Sequence, residues 1–194
     1  ANALVALAVS ELAGLPIEDA LAGIAHVVVP GRLQRIDEGQ DYLAIVDYAH
    51  KPAAVAAVIA TLRSEIKGRL CVVLGAGGDR DASKRAIMGR EAARGSDLFI
   101  VTDDNPRSED PAVIRAAVEA GAYELPTEER GEVRNIGDRA AAIRAAIAWA
   151  EPGDAVLVAG KGHETGQNVN GVIHHFDDRE EVRAALQERR TGSL

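Results

Sequence analysis

Short runs that are apolar almost throughout, among them Leu70-Cys71-Val72-Val73-Leu74, Leu98-Phe99-Ile100-Val101 and Ala155-Val156-Leu157-Val158-Ala159, alternate with stretches of helical periodicity. A strand without a polar side must be covered on both faces, and helical crossovers between successive strands make them run parallel. The alternation therefore predicts an α/β fold: a Rossmann-like, mostly parallel sheet with helices on both faces. Hydrophobic residues make up 47% of the chain and aromatic ones only 3%, so Ala, Val, Leu and Ile dominate. That composition suits helices packed on a sheet better than an aromatic-rich sandwich.

The series begins with a helix over 52–66, entered at Pro52, and a strand over 69–74. A helix over 83–94 leads to a strand over 97–102, and a helix over 111–121 opens at Pro111, a residue favoured in a first turn. Strand 133–136, helix 138–150 and strand 155–159 follow, then a strand Val172–Phe176 and a charged, amphipathic helix Asp178–Arg189. Ahead of the series, Leu33–Ile36 and Tyr42–Val46 flank the turn-forming Asp37-Glu38-Gly39-Gln40 and read as a hairpin. Residues 1–12 and 17–24 read as helices, and Val27–Val29 as a strand ending at the turn Pro30-Gly31. A domain boundary is expected at that turn, between residues 1–29 and 30–194.

A formal charge of -8 excludes a general nucleic-acid binder, which needs an excess of Lys and Arg on one face. The single Cys71 lies inside an apolar run, so no disulfide framework exists and burial is its expected role. No signal peptide or membrane-length apolar run is present, and a soluble cytoplasmic protein is expected. The pair His163-Glu164 lacks the second histidine of a zinc helix, and no metal site is expected.

In parallel sheets ligands bind outside the carboxyl ends of the strands, so the loops after residues 46, 74, 102 and 159 should share one edge. The first loop, Asp47-Tyr48-Ala49-His50-Lys51-Pro52, sets a carboxylate and an imidazole before a helix N-terminus, where they can meet a ribose, a base or a phosphate, or serve as a cap and a surface histidine. The second, Gly75-Ala76-Gly77-Gly78-Asp79-Arg80, has Arg80 at the last glycine position of a dinucleotide fingerprint, and no G-K-[ST] follows it. Its glycines allow close approach to a ligand while Arg80 offers a bidentate grip on a carboxylate; Arg85 suits a solvated basic helix start better than Arg80 does. In the third, Pro106 stiffens a loop where Asp104, Asn105 and Arg107 present an acceptor, a mixed donor-acceptor and a fork of donors. That set matches an amino acid, although an Asx-turn with Arg107 paired to Glu109 or Asp110 would use the same residues. The fourth, Gly160-Lys161-Gly162-His163-Glu164, offers Glu164 to an ammonium and Lys161 to an anion.

Taken in order and at these separations, "DYAHKP", "GAGGDRDASKR", "TDDNPR" and "GKGHETGQ" resemble the C-terminal domain of the Mur ligases, in the branch that adds the third amino acid of the peptidoglycan precursor. The resemblance covers essentially the whole chain. It implies an ATP- and magnesium-dependent ligase that turns the carboxylate of UDP-N-acetylmuramoyl-L-alanyl-D-glutamate into an acyl phosphate, which an incoming amine attacks. The signature Asp104-Asn105-Pro106-Arg107 implies that this amine belongs to meso-2,6-diaminopimelate rather than lysine. Arg80 would then take the carboxylate nearer the reacting amine, Asn105 and Arg107 the distal carboxylate, and the Gly160 carbonyl and Glu164 the distal ammonium. Asn2, Arg32, Asp47 and His50 are implied to turn toward ATP.

Two departures touch no implied contact: Lys51 stands where the family often has Thr, and Ala86 where it often has Pro. No P-loop, magnesium-binding acidic cluster or UDP-sugar domain occurs in these residues, so residues 1–29 are expected to end a central ATPase domain that holds most of the ATP and magnesium contacts. This segment is then expected to contain no catalytic residue, to be inactive alone, and to be monomeric, with no nucleic-acid or membrane partner. A stand-alone α/β module that binds an amino acid or nucleotide without chemistry is the alternative; an upstream G-T-N-G-K-T would separate the two.

Overall fold

The computed structural model describes residues 2–25 and 29–194, the side chains of Asn2 and Ala25 apart. Helices α1 (Asn2–Leu12) and α2 (Ile17–Ala25) pack on each other. Of the strand expected at Val27–Val29, the first two residues lie outside the described ones, and Val29 is not in a strand.

The main sheet contains β1 (Gln34–Arg35), β2 (Leu43–Asp47), β3 (Leu70–Leu74), β4 (Leu98–Val101), β5 (Glu132–Asn135) and β6 (Ala155–Ala159). Their order is β1-β2-β6-β3-β4-β5, with β1 antiparallel to β2 and every other pair parallel. The last strand to form in the chain thus inserts between the first two parallel ones. Register makes this edge level: Asp47 and Leu74 both pair with Ala159, Leu74 with Val101, and Val101 with Asn135. The loops after β2, β3, β4 and β6 consequently leave the sheet side by side, at the strand-order reversal where such folds bind ligands.

Helices α3 (Pro52–Glu65), α4 (Lys84–Gly95) and α5 (Pro111–Tyr123) cover one face, where Val72, Leu74, Phe99, Val101 and Leu157 point. The opposite face, with Val73, Ile100, Val156 and Val158, is closed by α6 (Arg139–Trp149) and α7 (Asp178–Arg190). All residues of β3, β4 and β6 are buried, which is the physical reason these runs contain no polar position. Asp110, Asp138 and Asp177 cap α5, α6 and α7 by accepting backbone N–H bonds. A second, two-stranded sheet, β7 (Gly166–Val169) with β8 (Val172–His175), stands outside the main one. Only β8 was legible; β7 reads Gly-Gln-Asn-Val and has no apolar alternation.

Two glycines allow α4 and α5 to touch backbone to backbone. A Cβ at Gly89 would lie 1.8 Å from the Val118 carbonyl oxygen, and one at Gly121 1.8 Å from that of Ala86. Gly89→Ala or Gly121→Ala must push the helices apart and is expected to cost about 1–3 kcal/mol in a urea unfolding titration. Gly23→Ala, with open space around its Cβ, is expected to be neutral or slightly stabilising.

Candidate functional site

The four loops enclose a cavity of about 260 Å³ at the carboxyl edge of the sheet. Six of the seven residues expected to bind an amino acid line it: Arg80, Asp104, Asn105, Arg107, Gly160 and Glu164. Pro106 instead lies behind the wall, its carbonyl oxygen where a Cβ at Gly78 would need to be, at 1.9 Å. Gly75 and Gly77 line the cavity, as a close approach to a ligand requires, and the glycines of this loop have a second purpose besides. Gly75, Gly77 and Gly78 admit the neighbouring loop 102–107 at distances that side chains would forbid, and only then does the ligand space remain beside them.

That neighbouring loop is heavily tied. Gly78 N–H donates to the Asn105 carbonyl (2.8 Å), and Arg107 Nη1 donates to the Gly78 carbonyl (2.7 Å). Asp79 accepts from Ser108 Oγ (2.6 Å), while Glu109 accepts from Asp79 N–H (2.6 Å) and Arg85 Nη2 (2.8 Å). Asp79 and Arg107 both adopt left-handed backbone, φ 53° and 52°, an unfavourable state for residues with a Cβ that these cross-loop bonds hold in place. The hydrogen bond from Arg85, followed by that from Asp79, holds the Glu109 carboxyl below its ordinary pKa. Arg85 is buried and Arg80 exposed, the reverse of the solvated helix start expected for Arg85. The α4 sequence Lys84-Arg85-Ala86 does not reveal this, because the partner Glu109 is distant in the chain.

Arg80 and Arg107 form no ion pair among the described residues, so two guanidinium groups enter one cavity uncompensated. Glu109 is not the partner of Arg107, as an Asx-turn arrangement would have it. The same cavity holds Asp104, 7% exposed, and the half-buried Glu164, which accepts from Asn105 Nδ2 at 2.9 Å. Gly160, at φ 113°, completes the floor; a Cβ there would meet Asp104 Oδ2 at 2.9 Å. Guanidinium groups, carboxylates and a backbone carbonyl gathered in one cavity suit a zwitterion.

Of the residues implied to turn toward ATP, His50 lines the cavity and Arg32 lies over the Tyr48 ring, 4.9 Å from its centroid. The Asp47 carboxylate accepts from Leu33 N–H (2.7 Å) and Ala49 N–H (2.8 Å), so it shapes this loop and keeps further lone pairs open. The Asn2 side chain lies outside the described residues. Among the described residues no group of three or more His, Cys, Asp or Glu is gathered for a metal ion, and no helix is long and apolar enough to cross a membrane.

Three features escaped the sequence reading. Lys161 is fully buried below the site, beside the protein's own Asp104 and Glu164 carboxylates rather than open to a ligand anion. The β7–β8 hairpin receives the Arg107 N–H at the Asn168 carbonyl (3.0 Å) and returns Asn170 N–H to the Arg107 carbonyl (2.7 Å). Arg139 and Asp178, both wholly buried, pair at 2.7 Å beneath the third and fourth loops. Burial alone would lower the Arg139 pKa, but the Asp178 charge and hydrogen bonds outweigh it and the pKa is raised. One signal was available: an arginine in the first turn of a helix opposes the helix dipole and needs another reason to be there.

A family described as "Mur ligase, glutamate ligase domain" matches residues 31–162. The UDP-N-acetylmuramoyl-L-alanyl-D-glutamate--2,6-diaminopimelate ligase of Corynebacterium glutamicum is 62% identical over 196 residues, covering 100% of this chain and 38% of that protein. A solved structure of a ligase of the same name superposes with a TM-score of 0.76 at 39% identity, covering 96% of this chain and 38% of that one. E.coli FolC in complex with ADP is similar at a TM-score of 0.63 and 26% identity, over 98% of this chain and 40% of that one. The chain therefore spans well under half the length of the proteins it matches.

Proposed function

Because this chain belongs to the Mur ligase family, we propose that it is the amino-acid-binding part of a cytoplasmic, ATP-dependent ligase that joins meso-2,6-diaminopimelate to UDP-N-acetylmuramoyl-L-alanyl-D-glutamate. The observation that carries this reading is the cavity's charge content: Arg80 and Arg107, in no ion pair among the described residues, share it with Asp104, Glu164 and Gly160. Diaminopimelate carries an ammonium and a carboxylate at each end, and lysine lacks the distal carboxylate. Arg80 takes the carboxylate beside the reacting amine, Arg107 and Asn105 the distal one, and Glu164 with the Gly160 carbonyl the distal ammonium. Lysine would leave the donors of Arg107 and Asn105 unmatched, and a site built to hydrogen-bond a group rejects the analogue that lacks it.

ATP with magnesium would supply the phosphoryl group that activates the acceptor carboxylate, held mainly by a preceding domain. This chain's share is Arg32, Asp47 and His50 on the rim next to the amino-acid cavity, with Asn2 from α1. The apolar residues Leu4, Val5, Val9 and Leu12 of α1, from 59% to 89% exposed, support assigning residues 1–29 to that domain, since such a face needs a cover.

The test is product formation by the full-length protein with ATP, magnesium and the UDP-linked dipeptide, followed by mass spectrometry. An adduct of diaminopimelate is expected, with L-lysine turned over at least about a hundredfold less efficiently. No adduct with either amino acid, or equal use of both, overturns the assignment.

A further inference from the structure

Lys161 stands two residues past the end of an all-apolar strand and has no exposed surface, yet its ammonium has four polar neighbours. Nζ donates to the Gly166 carbonyl at 2.7 Å and to Asn105 Oδ1 at 3.2 Å, and it lies 3.6 Å from Glu164 Oε2 and 3.7 Å from Asp104 Oδ1. On the reading that the cavity is a diaminopimelate site, we propose that Lys161 is a positioning residue that sets the site's preference for an amino acid with a second carboxylate. It does so in two ways, through the orientation of one amide and through the charge of the cavity.

An ammonium and a backbone N–H can only donate. The atom of Asn105 that faces Lys161 Nζ and, at 2.9 Å, Asn168 N–H must therefore be the oxygen. With Oδ1 held by two donors, Nδ2 is turned into the cavity, where one of its protons reaches Glu164 and the other is left for a ligand. A donor at that position suits a carboxylate; an inverted amide would offer a carbonyl there and suit an ammonium.

The charge argument is independent of the amide. Lys84 is paired with Asp81 and Arg85 with Glu109, so Arg80, Arg107 and Lys161 against Asp104 and Glu164 leave the site one net positive charge. To attack, the reacting amine must be neutral, which leaves diaminopimelate with one net negative charge and lysine with none. Lys161 therefore matches the site to the first ligand, and a neutral side chain there would match it to the second.

Lys161→Met keeps an unbranched side chain, shorter by the terminal ammonium, and removes the charge. In the full-length ligase its kcat/KM for diaminopimelate is expected to fall about tenfold or more, while KM for ATP stays within about twofold and the diaminopimelate-to-lysine ratio falls by about tenfold. A purely structural role would lower both amino acids and ATP together and leave the ratio unchanged, which overturns the proposal. If the unsubstituted protein does not prefer diaminopimelate, the ligand assignment itself fails and this proposal with it. Should the variant not fold, the unsubstituted protein decides: NMR should show the Asn105 side-chain NH2 near Glu164 and shifted by diaminopimelate but not by lysine. An NH2 group near the Asn168 N–H, or one that ignores diaminopimelate, overturns it equally.

Discussion

Arg107→Ala is expected to lower kcat/KM for diaminopimelate by roughly thirty- to a hundredfold, the equivalent of about 2–3 kcal/mol for a hydrogen bond to a charged group. KM for ATP should stay within about twofold, because on the proposed reading Arg107 serves the amino acid, while the residues assigned to ATP belong to other segments, His50 alone of them lining the same cavity. Alanine is a fair probe here. Arg107 is held at φ 52° by the Asn168 carbonyl and Asn170 N–H, and alanine suffers the same left-handed strain, so the substitution isolates the side chain. Some stability will also be lost with the bond from Nη1 to the Gly78 carbonyl. The kinetic signature separates this from a general loss: loosening of the loop pair 75–80 and 102–109 would affect every ligand of the edge. Equal losses for diaminopimelate and ATP would remove Arg107 from the amino-acid site.

The fold was legible because its information is local. Runs such as Leu70–Leu74 and Ala155–Ala159 have no polar position because helices cover both faces, and Pro52 and Pro111 mark helix starts from their own backbone constraint. The cavity was legible as far as it is built from loop residues at strand ends. What stayed hidden depends on partners far apart in sequence. Arg85 finds Glu109 across the second and third loops, and Lys161 sinks under Asn105. Hairpin β7–β8 exists to brace Arg107 and Asn105, and its polar first strand shows no pattern until that partner is in place.

Asp178→Ala is expected to destabilise the chain by about 3–5 kcal/mol, because it leaves Arg139 as a wholly buried charge with no opposite charge beside it. For a chain of this length the melting temperature should fall by roughly 10 °C. Arg139→Met should have a similar effect by stranding Asp178. The pair has a second task. Arg139 Nη1 donates to the Asp103 carbonyl (3.2 Å) and Nη2 to the Ala159 carbonyl (2.9 Å), so one guanidinium joins the loop that carries Asp104 and Asn105 to the loop that carries Gly160 and Lys161. The double variant Arg139→Met/Asp178→Leu separates the tasks. Replacing both members of a buried pair by apolar groups is often close to neutral for stability, so most of the lost stability should return. The two carbonyls would still lack their donor, and the opposing faces of the cavity would be free to drift. Affinity for diaminopimelate should then remain about tenfold weakened, since a drift of an ångström or less spoils charge-assisted hydrogen bonds. Denaturant unfolding and ligand titration on the same preparations provide the check: recovery of both stability and affinity would reduce the pair to a structural brace with no part in ligand binding.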